Sequence, residues 1–439
     1  MKKITDKDTE KIKKYLKSKS ALLVTESPTD RTAWKKLFAE LGVQLNNFHN
    51  ASTMHDAHEL INTKRVDILF TSHKLGEQYT YELLENHMGK YPDRSDYFCY
   101  FVSDKNSLAL TALVAEMEVD SLILKPYNQK DLIDSVKKSM LDSVNMSKEL
   151  RTFHHILGQL RDKKFDDALV GAEEYVEKLP NSPNGYYLKG LSKKNLGESE
   201  TAIDIWKNGL EKDLSHYQLM CALFDTYCEQ REFDQSYKLG ETLTSSYPIN
   251  PSRIPNLIRS ALATQNHLGL IKFCEMVLSL DESMESIKKP IAAALTLSGK
   301  SLINREDEDH SELIVNISKK AINLTEKQSK IHAACLENLF NLGQFDEVKT
   351  LLANIPSDEM SVDFISLELL VFEQTEDKSQ VFVMAQKLVR ENKVTSDIFK
   401  ALLRCGKTIG KSKGQLEDIV FEGAKIFPDD KGHFESILT

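Results

Sequence analysis

The sequence predicts two architectures in series: an α/β domain built on a doubly wound, parallel five-stranded sheet over residues 1–143, then an all-α superhelix of stacked helix pairs over 144–439. Two observations carry this. From Ser20 onward, short apolar runs alternate with helical stretches in units of about 25 to 30 residues, the texture of strands and helices around a buried parallel sheet. From Glu149 to Asn250 a 34-residue spacing takes over, with Pro180 and Pro248 standing 68 residues apart and Leu214 midway.

The apolar runs fall at 21–24, 66–71, 97–102 and 121–124, with 47–50 as the weakest strand, at the sheet edge. Helical stretches over 30–41, 53–62, 79–87, 107–118 and 128–140 separate and follow them. Ahead of these lies a charged segment with only Ile4, Ile12, Tyr15 and Leu16 to bury, which reads as a short leading helix. Residues 142–148 are polar and lack proline and glycine, so the helix before them is expected to run on into 151–160 and make a rigid joint.

In the repetitive part, each unit places a polar turn (163–166, 196–198, 231–234) before an amphipathic run, with Ala168, Ala202 and Ser236 in register as small residues. Leu188, Gly190 and Leu191 precede the second turn, and Leu223, Phe224 and Tyr227 the third. The unit is therefore helix, turn, helix. Later pairs are predicted at 252–263 with 268–280, 287–302 with 311–324, 330–341 with 345–355, 362–372 with 379–392, and 395–403 with 415–426. The acidic run 304–309 reads as a solvated loop.

A 34-residue helix-turn-helix unit with these small residues and prolines resembles the tetratricopeptide repeat family, and the turn Asn341-Leu342-Gly343-Gln344-Phe345-Asp346 is its best single match. The resemblance covers roughly 290 residues and implies a binding scaffold whose first helices line a concave groove. On that basis Tyr186, Lys189, Lys193, Gln218 and Arg259 are candidate groove residues, with His154, Gln159, Asn195 and Gln265 behind them. Taken singly, each also reads as ordinary helix surface.

The first part resembles the receiver domain of bacterial response regulators, through Leu22-Leu23-Val24-Thr25-Glu26, Val66-Asp67-Ile68-Leu69-Phe70-Thr71-Ser72, Val102-Ser103 and Leu124-Lys125-Pro126-Tyr127. The resemblance implies a pocket of Thr25, Glu26, Ser72, Ser103 and Lys125. Ser72 stands where the family has its phosphorylated aspartate, and Thr25 where it has one of two metal-binding acids. Phosphoryl transfer depends on metal and positioned charge. The expectation is a pseudo-receiver that retains the fold, the hydroxyl and the lysine. Asp67, five residues before the strand's end, falls at the wrong edge to act as acceptor.

A net charge of −9 argues against nucleic acid as the main partner. Six cysteines without a CxxC pair suit reduced, buried thiols; no stretch has signal-peptide or membrane-spanning character, and a cytoplasmic location is expected. His55 and His58 share a helix face but lack further ligands, and Trp34 and Trp206 occupy core positions. No nucleophile, metal or cofactor-loop motif is present, so neither an enzyme nor a cofactor is expected. The expected function is a non-catalytic bacterial signalling adaptor that binds a protein helix or peptide, without nucleic acid or membrane insertion. A phosphorylation-gated regulator with an atypical acceptor and a homo-oligomeric scaffold are the alternatives.

Overall fold

The computed structural model describes residues 5–104, 107–278, 285–303, 309–326, 329–356 and 360–438. The α/β part runs α1 (Asp6–Leu16), β1 (Ala21–Val24), α2 (Pro28–Glu40), β2 (Phe48–Ala51), α3 (Met54–Thr63), β3 (Ile68–Ser72), β4 (Lys74–Leu75), β5 (Gln78–Tyr79), α4 (Tyr81–Lys90), β6 (Phe98–Ser103), α5 (Leu108–Glu116), β7 (Ser121–Leu124) and α6 (Gln129–Val144). The main sheet has the order β2-β1-β3-β6-β7, all parallel. Runs such as Ala21–Val24 are buried at every position because helices cover both faces. On one face Trp34, Phe38, Phe70, Tyr100, Val136 and Met140 close a core; on the other Leu22, Ile61, Leu69, Leu83, Phe101 and Leu110 do. Helix α1 belongs to the first of these layers, with Ile12 and Leu16 fully buried.

Three features of this part depart from expectation. The edge strand is shifted to Phe48–Ala51. A two-stranded antiparallel hairpin, β4 with β5, follows β3, so helix α4 begins at Tyr81. Gly76 turns that hairpin at φ +56, a left-handed value that glycine adopts without steric cost. The third concerns the joint: α6 does not run on. Asn145 closes its last turn through Leu141, and Ser147 starts a new helix by accepting a hydrogen bond from the Leu150 amide. A serine in extended conformation satisfies one of the first-turn amides that has no partner within its own helix, so a new helix can begin there.

The helical part comprises α7 (Lys148–Arg161), α8 (Phe165–Lys178), α9 (Pro183–Asn195), α10 (Ser199–Leu210), α11 (Tyr217–Gln230), α12 (Phe233–Ser246), α13 (Ile254–Ala263), α14 (His267–Leu278), α15 (Glu285–Ile303), α16 (Ser311–Asn323), α17 (Lys330–Asn341), α18 (Phe345–Leu352), α19 (Val362–Thr375), α20 (Lys378–Arg390), α21 (Ser396–Thr408), α22 (Lys413–Ile426) and α23 (Lys431–Leu438). The fold is thus an α/β domain followed by a long all-α, tetratricopeptide-like array. The 34-residue unit has a packing basis. Ala168 and Ala202 are fully buried where α8 and α10 cross their partners, and Gly190 of α9 lies against Trp206 of α10.

The chain divides into two compact units, the first reaching Ser260 and the second continuing from Ala261. Within the second, Leu336, Leu339, Val348 and Phe364 form one core, and Phe399, Leu403, Leu416 and Phe434 another. Phe434 lies on α23, a closing helix that the sequence reading did not anticipate. Buried Glu373 of α19 takes both Arg404 Nε (2.7 Å) and Nη2 (2.6 Å) of α21, a fork-to-fork ion pair between first helices. Of the predicted acidic loop 304–309, residues 304–308 lie outside the described residues.

Candidate functional site

The strand order reverses between β1 and β3, and in such sheets ligands bind beyond the carboxyl ends at that point. Thr25, Ser72, Ser103 and Lys125 all fall at this edge, since β1, β3, β6 and β7 end there. Thr25 is buried, with its carbonyl accepting from Arg31 Nη2 at 2.7 Å, and Glu26 is exposed. The Ser72 carbonyl accepts from Thr80 Oγ1 at 2.6 Å, which ties the strand end to the start of α4.

The next residue, His73, was not singled out from the sequence, yet it fills the corner. Only 3% exposed, its ring has Nδ1 at 3.1 Å from Ser103 Oγ and Nε2 at 2.7 Å from Tyr81 Oη. Tyr79, Tyr81 and Phe101 surround it at centroid distances of 5.1, 5.6 and 5.4 Å. The Lys125 ammonium points at Asp30 instead, 2.6 Å from Oδ2, and Tyr127 Oη donates to the same carboxylate at 3.3 Å. Asp67 lies at the opposite edge, where it accepts from the Ser20 amide at 2.9 Å and from Arg65 Nε at 3.0 Å. Among the described residues no three His, Cys, Asp or Glu side chains are placed to share a metal ion.

A second polar centre, absent from the sequence reading, lies where the α/β domain meets the leading repeats inside the first compact unit. It is built from the end of α5. Glu116 accepts from Arg253 Nη1 at 2.5 Å and from Asn250 Nδ2 at 2.9 Å, and the Tyr217 hydroxyl also donates to it. Two residues on, Glu118 (φ +49) accepts from Arg161 Nη2 at 2.6 Å, while Arg161 Nη1 donates to the Pro92 carbonyl at 2.9 Å. Asp225 of α11 holds the Arg253 fork from behind, through Nε at 3.0 Å and Nη2 at 2.9 Å. Burial works against the Arg253 cation, but bonds to Asp225 and Glu116 outweigh it and raise its pKa. His154 lies 3.9 Å from Glu118 and is shifted down by burial, with Glu118 opposing.

Backbone shape completes this junction. Gly158 of α7 approaches the loop before β6 so closely that a Cβ there would stand 3.0 Å from Asp93 Cα. A cleft of about 230 Å³ remains beneath the two glutamates, lined by Leu157, Tyr187, Leu191, Gln218 and Ala222 among others. The sequence did hold one signal: carboxylates at the end of a helix oppose its dipole, so Glu116 and Glu118 call for cations from elsewhere.

Of the groove candidates, Gln218 lies in this cleft and His154 beside it. The others are spread out. Tyr186 donates to the Pro180 carbonyl at 3.1 Å, Lys189 pairs with Glu173 of α8 at 3.1 Å, and Lys193 pairs with Glu198 of its own turn at 3.0 Å. Arg259 reaches Asn256 on its own helix at 3.4 Å, Asn195 donates to the Leu191 carbonyl at 2.8 Å, and Gln265 occupies a turn at φ +55. Gln159 lines a larger groove of about 730 Å³ between α7 and α8.

No protein-family model matches the chain, and no curated protein sequence does. Among solved structures it is similar to one titled "Structure of Naa15/Naa10 bound to HypK-THB", at 16% identity and TM-score 0.48, over 65% of this chain and 44% of that one. It is also similar to the "P58(IPK) TPR Domain" crystal structure, at 11% identity and TM-score 0.23, over 66% of this chain and 96% of that one. This chain thus spans less than half the length of the first. Among the described residues no helix is long and apolar enough to cross a membrane.

Proposed function

We propose that this chain is a cytoplasmic, non-catalytic adaptor of a bacterial signalling system, in which the helix-pair array holds protein partners and the α/β domain works as a phosphorylation-independent pseudo-receiver. The observation that carries the reading is the state of the receiver-like corner. A serine stands where an acyl phosphate would form, the His73 ring links the neighbouring Ser103 hydroxyl to Tyr81, and the lysine is engaged by Asp30. A hydroxyl without a metal-binding carboxylate pair gives a phosphoryl donor neither a suitable nucleophile nor charge neutralisation.

The array contributes the binding surface, since stacked helix pairs present long runs of side chains without the need for chemistry. A protein helix or an extended peptide is the ligand class that such a surface takes. The test uses the full chain with Mg²⁺ and either acetyl phosphate or beryllofluoride, read by intact mass and by amide spectra around Ser72. Neither additive is expected to change mass or spectrum. Stoichiometric phosphorylation, or a saturable shift at Ser72, would instead favour the regulator with an atypical acceptor. In parallel, affinity capture from the native cell is expected to retain a protein partner, whereas recovery of further copies of this chain alone would favour the homo-oligomeric scaffold.

A further inference from the structure

The junction built around Glu116 and Glu118 differs in kind from the cores it joins. The α/β domain closes two apolar clusters of its own, one on each face of the sheet. The leading repeats close theirs, around Phe153, Ile156 and Leu188 and around Ile203, Trp206 and Leu223. Neither pair of clusters shares a residue with the other. Beside the approach of α7 to the loop at Pro92 and Asp93, what joins them is a set of charged and polar contacts to two glutamates, flanked by the cleft of about 230 Å³ and by a second of about 240 Å³ lined by Arg94, Asp120 and His154. Polar, imperfectly packed contacts between domains resemble exchangeable protein interfaces more than a core.

The receptor side is built in advance. Asp225 holds the Arg253 guanidinium in place through two nitrogens, which leaves Nη1 for an incoming carboxylate. Tyr217 Oη and Asn250 Nδ2 converge on the same carboxylate, and Arg161 offers a second anchor two residues along. All four come from the repeat side, whereas the carboxylates come from the end of α5 and the turn after it. We infer that Arg161, Tyr217, Asn250 and Arg253 form a receptor for a Glu-X-Glu segment, that Glu116-Met117-Glu118 is its resident ligand in cis, and that a partner's acidic segment of the same pattern displaces it.

Tethering sets the terms of this exchange. A ligand held on the same chain acts at an effective concentration in the millimolar range, so a free peptide competes poorly until the resident carboxylates are removed. The inference rests on the adaptor reading and gives its partner a chemistry.

The probe is a fluorescent peptide of residues 115–121, Ala-Glu-Met-Glu-Val-Asp-Ser, titrated into the full chain and read by anisotropy. The E116Q/E118Q chain is expected to bind it at least tenfold more tightly than the unaltered chain does. Adding R253M or R161M to that background, or replacing both peptide glutamates by glutamine, is expected to remove the gain, and rising salt to weaken it. Equal affinity for the unaltered and E116Q/E118Q chains would overturn the inference, as would a gain that survives R253M.

Should the double variant fold poorly by circular dichroism, hydrogen exchange on the unaltered chain decides. Excess peptide is expected to speed exchange of amides 116–120 and 93–96, and unchanged exchange at saturating peptide would sink the proposal. If the peptide fails while affinity capture retains a protein partner, the receptor assignment falls and the adaptor reading stands.

Discussion

Replacing Arg253 by methionine isolates what the charged junction contributes. Methionine keeps much of the aliphatic stem and removes the fork, leaving Glu116 and Asp225 facing one another without their cation. The Arg253 side chain is 13% exposed, Glu116 21% and Asp225 34%, so the site lies between two known regimes. Breaking a fully buried pair costs about 3–5 kcal/mol, and an exposed pair is worth about 0–1 kcal/mol. An intermediate loss of about 2–3 kcal/mol is expected, equivalent to a fall in midpoint of about 4–12 °C for a unit of this size.

The two tryptophans make the assay specific, because Trp34 reports the α/β domain and Trp206 the repeats. Urea unfolding of W34F and W206F chains should give coincident midpoints with Arg253 present and separated midpoints with R253M. The triple variant R253M/E116Q/D225N removes the stranded charges and should recover at least half of the loss. A loss under about 0.5 kcal/mol with midpoints still coincident would refute the argument, since that is the range of ordinary surface substitutions.

Further outcomes follow from the packing and from buried charge. Gly190→Ala places a Cβ 2.0 Å from Trp206 Nε1, whose N–H donates to the Tyr187 carbonyl at 3.2 Å. Overpacking of about 1–3 kcal/mol or more should exceed the gain of about 1 kcal/mol in helix propensity, visible as a lower urea midpoint and altered Trp206 emission. Buried His87 is held down to about 3, mainly by burial and then by Arg94. Its unfolded form takes up a proton near pH 6.5, so stability is full above that value and falls by up to about 1.4 kcal/mol per unit as pH drops toward 3. Urea midpoints at pH 7.5 and 5.0 should therefore differ less for H87Q than for the unaltered chain. On the pseudo-receiver reading, Ser72→Asp alone should leave the chain unresponsive to beryllofluoride by NMR, because Thr25 supplies no second carboxylate for a metal and Lys125 is still engaged by Asp30.

Strands buried on both faces announced themselves, as Ala21–Val24 shows, because a parallel sheet demands continuous apolar runs. The repeat pairs were legible for a similar reason: Ala168, Ala202 and Gly190 are small where a neighbouring helix needs the space. Two-residue strands such as β4 and β5 carry too little pattern to stand out, and the helix holding Phe434 follows a proline turn that looked like an ending. At the candidate site, the residues at strand ends could be placed by register alone. His73 and Asp30 could not, since their roles arise from the hydroxyl and the ammonium that they respectively meet across the fold. The Glu116 clamp was hidden most deeply, because its partners lie 101, 134 and 137 positions away and follow no period.

That separation along the chain also has a meaning in time. All five strands of the main sheet are complete by Leu124, so the α/β domain can close its cores while the repeats are still being made. Arg253 is synthesised 137 residues after Glu116, roughly 7 to 27 s later at translation rates of about 5–20 residues per second. Throughout that interval Glu116 lacks its arginine, whereas Glu118 can meet Arg161 once another 43 residues have been made. The Glu116 half of the junction can therefore be completed only when the end of the first unit has been made.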